Sequence, residues 1–354
     1  INPRDAGAWA RYARLLDRKT PTGPERSQVY LVLERAQRDN PKDAELERRC
    51  AEVGLELGRF SDARRHLRAL LEQGPKDAAG KPADAELEDL LGQCDQGESK
   101  PSEAEGWYRK AVAHEPGRVE VSNRLARLLR LDARPEEADR AIEEMVEANP
   151  RSAMAYVYRY RYNVEFRRNA DKADVARALE FGPDEAEVLI TAADLARQDD
   201  DVAAARKHLE SGLQKHPDDP VFYQMSAGVE MAENHPDRAE AVLRRGIAAA
   251  PSNVHLKLLL AMALISQEKL DGDDGATSWI KRLQKLGLTD GYVYNLEARV
   301  AMTRRKWTLA ISKFESARSL LAADPAILSV INLQLVECYS HTGEKEKQVA
   351  ALRR

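Results

Sequence analysis

Three arginines recur at every third residue of one segment of the chain: Arg124, Arg127 and Arg130. On a helix, this spacing keeps the three side chains on one slowly drifting stripe. Guanidinium groups gathered in this way can bind carboxylate or phosphate groups through paired hydrogen bonds. The stripe therefore predicts a site that captures acidic groups. The alternative is that glutamates on or near the same face simply pair with these arginines and with others such as Arg14 and Arg49. These glutamates are Glu45, Glu52, Glu120 and Glu187.

A second candidate segment is apolar rather than charged. In Leu256–Ile265, residues such as Leu258, Leu259 and Met262 would surround a helix with apolar side chains on nearly every side. A helix of this kind is either buried or part of a binding surface. Methionine suits adaptable binding surfaces. Both alternatives stay open at this point: a buried helix, or an apolar groove that binds a partner.

A third segment alternates tyrosines with other residues over Tyr156–Tyr162. Alternation with a period of two is typical of a strand, but within a helical chain it indicates a helix with aromatic residues all round. Tyr158 and Arg161 could together bind a peptide or stack on bases. The alternative is that the segment only packs irregularly.

No residue pattern in the chain predicts catalysis. There is neither a glycine-rich phosphate loop nor a paired-histidine zinc motif, and the seven histidines are scattered. Asp271–Gly275 lacks the ligand spacing and the distant glutamate of a calcium loop. Cys50, Cys94 and Cys338 lie too far apart for a metal site or a disulfide framework. We therefore predict no catalytic residue, no metal and no cofactor.

The elements that position these segments follow from a repeat. Four of the intervals between recurring prolines are 34 residues and one is 33. A period of this size marks a solenoid of helix–turn–helix units, whose usual work is binding another chain. The recurring prolines are Pro41, Pro75, Pro116, Pro150, Pro183, Pro217, Pro251 and Pro325.

Other residues keep the same phase as the prolines. The residue eight positions before a proline is apolar, and the residue five before it is mostly small, as with Leu209 and Gly212 before Pro217. Such spacings put residues on one face of a helix. A second small position follows ten residues after a proline, as at Ala227. Each repeat therefore predicts two helices, a short turn between them, and a proline that cannot continue the second helix.

The clearest set of phased residues is Tyr294, Ala298, Trp307, Ala310, Phe314 and Ala317, followed by Pro325. This set, like the frame over essentially the whole chain, resembles the tetratricopeptide repeat. The resemblance implies an all-α, right-handed α-solenoid of antiparallel helix pairs in a single continuous array. Insertions are expected at Lys19–Glu25, Ala78–Asp84 and Gly272–Gly275. The expected repeats span residues 3–41, 42–75, 76–116, 117–150, 151–183, 184–217, 218–251, 252–288, 289–325 and, in part, 326–354.

In tetratricopeptide arrays the first helix of each pair lines a concave groove, so the resemblance places partner-binding residues there. A two-carboxylate clamp of lysine, asparagine and arginine is not reproduced, since the lysines are absent. An asparagine ladder is also missing. The residues expected to bind a partner are Asn123, Arg124, Arg127, Arg130, Tyr158, Arg161, Met225, Leu258, Met262, Tyr292, Asn295 and Arg299.

Composition narrows the class of partner. A net charge of −4, spread as mixed charges, disfavours nucleic acid and anionic membranes. No apolar run approaches the roughly 20 residues that span a bilayer. We expect a non-enzymatic scaffold that binds a protein or peptide with acidic and apolar segments; its oligomeric state is left open. The alternative is a regulatory or assembly region of a larger enzyme, secretion or envelope complex.

The ends of the chain bear on its compartment. The chain starts at Ile1 without a methionine and its last repeat is incomplete, so we expect a fragment of a longer protein. A cytoplasmic location is favoured, with a periplasmic or envelope-associated one as the alternative.

Overall fold

The computed structural model describes residues 6–19, 26–74 and 84–353. These residues form twenty helices, with no strand among them, so the expected all-α class is confirmed. Two of the expected insertions, Lys19–Glu25 and Ala78–Asp84, fall almost entirely outside the described residues. The third, Gly272–Gly275, lies in the connection between two helices.

The described residues up to Gly182 form one compact unit and those from Pro183 form another. In each unit, consecutive helices pack against each other. The helices of the first unit are α1 (Ala6–Lys19), α2 (Arg26–Asp39), α3 (Ala44–Glu56), α4 (Phe60–Glu72), α5 (Asp84–Gly97), α6 (Pro101–His114), α7 (Val119–Leu131), α8 (Pro135–Ala148), α9 (Ala153–Glu165) and α10 (Lys172–Phe181). Those of the second are α11 (Ala186–Gln198), α12 (Val202–Lys215), α13 (Pro220–Ala232), α14 (Pro236–Ala249), α15 (Val254–Ser266), α16 (Ala276–Lys285), α17 (Asp290–Thr303), α18 (Trp307–Leu320), α19 (Pro325–Thr342) and α20 (Lys345–Leu352).

The phased residues form the contacts between helices. Leu209 and Ala227 are buried, as their positions in the repeat predict. Gly212 on α12 is small for a steric reason, because a Cβ there would lie 2.0 Å from the ring of Phe222 on α13. Small residues at a fixed phase thus let neighbouring helices come close.

From α3 onward, each first helix of a pair ends in the same tight turn. The residue at the turn has a left-handed backbone, which non-glycine residues adopt at a cost. The next residue donates its N–H to a carbonyl five residues earlier, as Arg134 does to Leu129 at 2.9 Å. The turn residues are Gly58, Ser99, Ala133, Arg167, Asp200, Asn234, Glu268, Arg305 and Gly343.

The tyrosine-rich segment is helical. It forms α9, in which Tyr156, Tyr160 and Tyr162 are buried and Tyr158 is half-buried. The following helix, α10, is short because it starts late: Asp171 is its N-cap and accepts a hydrogen bond from the Ala173 N–H at 2.9 Å. Asp171 lies twelve residues before Pro183 and outside the helix. At the same distance before Pro217 and Pro251, the small residues Ala205 and Ala239 lie within their helices.

Candidate partner-binding face

Four of the predicted partner-binding residues occupy the same position relative to a left-handed turn residue. Arg127, Arg161, Met262 and Arg299 each lie six residues before such a turn residue. They belong to α7, α9, α15 and α17, which are all first helices of their pairs. The first helices α7 and α9 touch in the first unit, and α15 touches α13 and α17 in the second. The equivalent positions therefore follow one another along a face of first helices within each unit.

In the first unit, the arginine stripe is paired within the chain. Arg124 Nη1 donates to both carboxylate oxygens of Asp89 on α5, at 3.0 and 2.8 Å. Burial raises the pKa of Asp89 although Arg124 opposes this. Arg127 Nη2 lies 2.6 Å from Glu165 on α9, and both side chains are more than two-fifths exposed.

Arg130 points towards the aromatic residues of the first unit. Its Nε donates to the Tyr162 hydroxyl at 2.7 Å and its Nη2 to Asp139 at 2.5 Å. Its guanidinium also lies over the ring of Phe166, 5.0 Å from the centroid. Burial and the hydrogen bond to Asp139 raise the pKa of Tyr162 to about 12. Arg130 therefore stabilises the contact of α7 with α8 and α9.

The remaining predicted residues of the first unit, Asn123 and Arg161, are half-buried. Asn123 lies ten residues before the turn residue Ala133, and its Oδ1 is buried without a hydrogen-bond partner in the described part of the chain. The sequence suggested glutamates as partners for the arginines. Two of them do pair, Glu45 with Arg14 at 2.9 Å and Glu52 with Arg49, but the carboxylates beside Arg124, Arg127 and Arg130 were not anticipated.

In the second unit, the apolar segment is buried on one side only. Leu256, Leu260 and Leu264 of α15 are buried, whereas Leu258 and Met262 are half-buried and pack against the same core. Each of the two alternatives for this segment therefore describes part of it. The other predicted residues here, Met225 on α13 and Tyr292 and Asn295 on α17, are also half-buried. This half-buried set, with Arg299, is called the second-unit face below.

Arg299 differs from the arginines of the first unit. Its Nε is buried without a hydrogen-bond partner, and no carboxylate of the described residues lies within ion-pairing distance. Burial lowers the pKa of the guanidinium, with no neighbouring charge to oppose this. Asn295, one helical turn earlier, likewise has a buried Oδ1 without a partner in the described structure. An unmatched cation on a half-buried apolar face is costly unless a ligand pairs with it.

Arg299 opens into a pocket of about 290 Å³. Residues from α15, α17, α18 and α19 and from the turn after α15 contribute to it. Apart from Arg299, no pattern in the sequence indicated this pocket, because its members are spread over three repeats. Its lining includes Ile265, Glu268, Arg299, Met302, Trp307 and Glu337.

The described residues carry neither a cluster of metal ligands nor a membrane-spanning helix. Residues 6–19, 26–74 and 84–353 hold no group of three His, Cys, Asp or Glu side chains arranged to bind a metal. No helix in these ranges is both long and apolar enough to cross a membrane. The three cysteines are buried and not bonded to one another, and burial raises the pKa of the Cys94 thiol to about 12.

Comparison with known proteins identifies the repeat. Residues 29–87 and residues 227–273 each match a family model of the tetratricopeptide repeat. No curated protein matches the chain. Together with the repeating helix pairs, the two matches confirm the resemblance to the tetratricopeptide repeat family.

Several solved structures are similar to this chain and share little of its sequence. A human IFIT1 dimer with m7Gppp-AAAA is 15% identical over 93% of this chain and 86% of that chain, with a TM-score of 0.51. Yeast Tom70 is 14% identical over 98% and 83% of the two chains, with a TM-score of 0.48. A tetratricopeptide repeat protein from Parabacteroides merdae is 16% identical over 82% and 97%, with a TM-score of 0.44. At 15% identity, the similarity to the IFIT1 dimer shows a shared fold only.

Proposed function

We propose that this protein is a non-enzymatic scaffold whose second-unit face binds a segment of a partner protein. The observation that carries the proposal is Arg299, a half-buried guanidinium without a carboxylate partner in the described structure. A carboxylate of the partner would satisfy it through charge-assisted hydrogen bonds. The three arginines of the stripe in the first unit need no such ligand, because Asp89, Glu165 and Asp139 already pair with them.

The apolar residues of the same face indicate that its ligand is a peptide segment rather than a single anion. Met225, Leu258, Met262 and Tyr292 are half-buried on α13, α15 and α17. Apolar side chains of a partner would remove their remaining surface from water, which is favourable in proportion to the area covered. Methionines let such a face adapt to the shape of its ligand. The expected partner segment therefore combines apolar side chains with at least one carboxylate.

We also infer where in the cell this scaffold acts and what it belongs to. The three cysteines form no disulfide, which favours a reducing compartment and so supports a cytoplasmic location. If the array belongs to a larger enzyme, secretion or envelope complex, the same face would bind a segment within that complex. The proposed binding needs neither nucleic acid nor insertion into a membrane.

The test compares two arginines at the same repeat position. The protein, its Arg299→Gln variant and its Arg127→Gln variant are each used to capture proteins from a lysate of the cells that make it, followed by mass spectrometry. We expect a set of proteins that the native chain and Arg127→Gln retain and that Arg299→Gln loses. Capture of the same set by all three would overturn the proposal.

A further inference from the structure

The pocket beside Arg299 carries charges of both signs. Glu268, at the turn after α15, and Glu337, on α19, line the pocket together with Arg299. Neither carboxylate forms an ion pair with Arg299 or with another of the described residues. Three charged groups thus line one pocket without neutralising one another.

This arrangement differs from the pairs of the first unit. There, opposite charges touch: Arg124 lies 2.8 Å from Asp89, and Arg127 lies 2.6 Å from Glu165. In the pocket, the guanidinium is half-buried whereas Glu268 and Glu337 are exposed. Neither carboxylate lies within ion-pairing distance of Arg299, and the three groups line a pocket that is open to a ligand.

The size of the pocket indicates what part of a ligand it takes. At about 290 Å³ it lies at the lower end of small-molecule sites. It suits one or two side chains of a longer segment. Gln334 and Thr303 add hydrogen-bonding groups to its wall, and Met302 adds an apolar one.

We infer that the pocket selects a partner segment in which an acidic and a basic residue lie close together. The acidic side chain would pair with Arg299, and the basic side chain would lie between Glu268 and Glu337. A segment with carboxylates only would bring like charges against these two glutamates, which works against binding. The inference rests on the proposed function and names the class of ligand more narrowly than an acidic segment.

The test uses three fluorescein-labelled peptides of about twelve residues that share the same leucines. The mixed peptide has one aspartate and one lysine three positions apart, the acidic peptide has two aspartates, and the basic peptide has two lysines. Binding to the full chain is measured by fluorescence anisotropy. We expect the mixed peptide to bind about five- to tenfold more tightly than the acidic one, as two partly exposed ion pairs allow.

Reversing the charges of the two glutamates should change the affinities of the mixed and acidic peptides in opposite directions. Glu268→Lys with Glu337→Lys should weaken the mixed peptide and strengthen the acidic one. Glu337→Gln should change both affinities in the same directions by a smaller factor. This milder variant tests the inference even if the double variant folds poorly. Arg299→Gln should weaken both peptides that carry aspartate. Circular dichroism checks that each variant keeps its helical content.

The outcomes separate the two proposals. If the acidic peptide binds the native chain as tightly as the mixed one and still depends on Arg299, selection for mixed charge is wrong while the proposed function stands. If neither peptide that carries aspartate binds, or if both bind without depending on Arg299, both proposals are contradicted.

Discussion

Arg127 and Arg299 occupy the same position in two repeats, six residues before the left-handed turn residue, yet only Arg127 has a carboxylate partner. Arg127 and Glu165 are both well exposed, and pairs of this kind contribute at most about 1 kcal/mol. Arg299 is half-buried with its Nε unsatisfied, which costs free energy in the absence of a ligand. The same position of the repeat thus holds an arginine of a surface ion pair in the first unit and an arginine without a carboxylate partner in the second.

The first prediction is that Arg299→Met stabilises the protein. The substitution removes a desolvated guanidinium and keeps an apolar side chain of similar length, so the midpoint of urea unfolding should rise by the equivalent of about 1 kcal/mol. The matched Arg127→Met variant should change stability by at most about 0.5 kcal/mol. A lower midpoint for Arg299→Met would mean that its guanidinium has a stabilising partner after all.

The second prediction concerns two glycines of the second unit. Gly212→Ala should destabilise by about 1–3 kcal/mol, because its Cβ would overlap the ring of Phe222. Gly228→Ala should instead stabilise by about 0.5–1 kcal/mol, since no atom lies within 4 Å of its Cβ and alanine favours the helix. Chemical unfolding of both variants measures the difference. Similar effects of the two substitutions would contradict this packing.

How much of the fold the sequence predicts is clear from Leu209, Gly212 and Ala227. Their phase relative to Pro217 predicted buried positions where helices cross, and all three are buried. The turns carry a weaker signal. A left-handed turn favours glycine, but residues such as Glu268 and Arg305 occupy it here, so local composition does not mark the position.

The candidate site was predictable in position but not in pairing. The repeat phase placed Arg124, Arg127 and Arg299 on first helices, where the structure also has them. Their charge partners lie about one repeat away: Asp89 is 35 residues from Arg124, and Glu165 is 38 residues from Arg127. Pairing of this kind depends on how neighbouring repeats stack. An acidic residue about one repeat away from each arginine is the sequence signal that could have predicted these pairs.

The third prediction is a pH dependence in the first unit. Asp17 is buried and accepts hydrogen bonds from Arg26 at 2.5 Å and Arg49 at 2.7 Å. Burial raises the pKa of Asp17, but the hydrogen bonds from the two arginines outweigh this, and the net pKa is below the ordinary 3.8. Asp17→Asn should therefore destabilise at neutral pH by about 2 kcal/mol, less than for a fully buried pair because Glu52 and Glu56 remain beside the arginines.

The sign of the pH effect follows from the lowered pKa. The contribution of Asp17 is fully present above its ordinary pKa of 3.8 and is lost as the pH falls through the lower pKa of the folded state. The difference in unfolding free energy between the native chain and Asp17→Asn should thus shrink below pH 3.8. The more exposed Asp62 provides the control, and Asp62→Asn should have little effect at any pH. A difference that grows on acidification would contradict the pairing.

The last prediction separates the apolar and charged parts of the second-unit face. Leu258→Ser with Met262→Ser should weaken binding of the mixed peptide by about tenfold or more, because less apolar surface is buried on binding. The salt dependence of binding should stay the same, since no charge has changed. Arg299→Gln should instead flatten that dependence, because screening acts on the ion pair it removes. Leu309→Ser is the control: Leu309 is 46% exposed on α18, a second helix of its pair, and its loss should leave binding unchanged. If the Leu258 and Met262 substitutions keep the helical content and leave the affinity unaltered, the apolar residues do not belong to the binding surface.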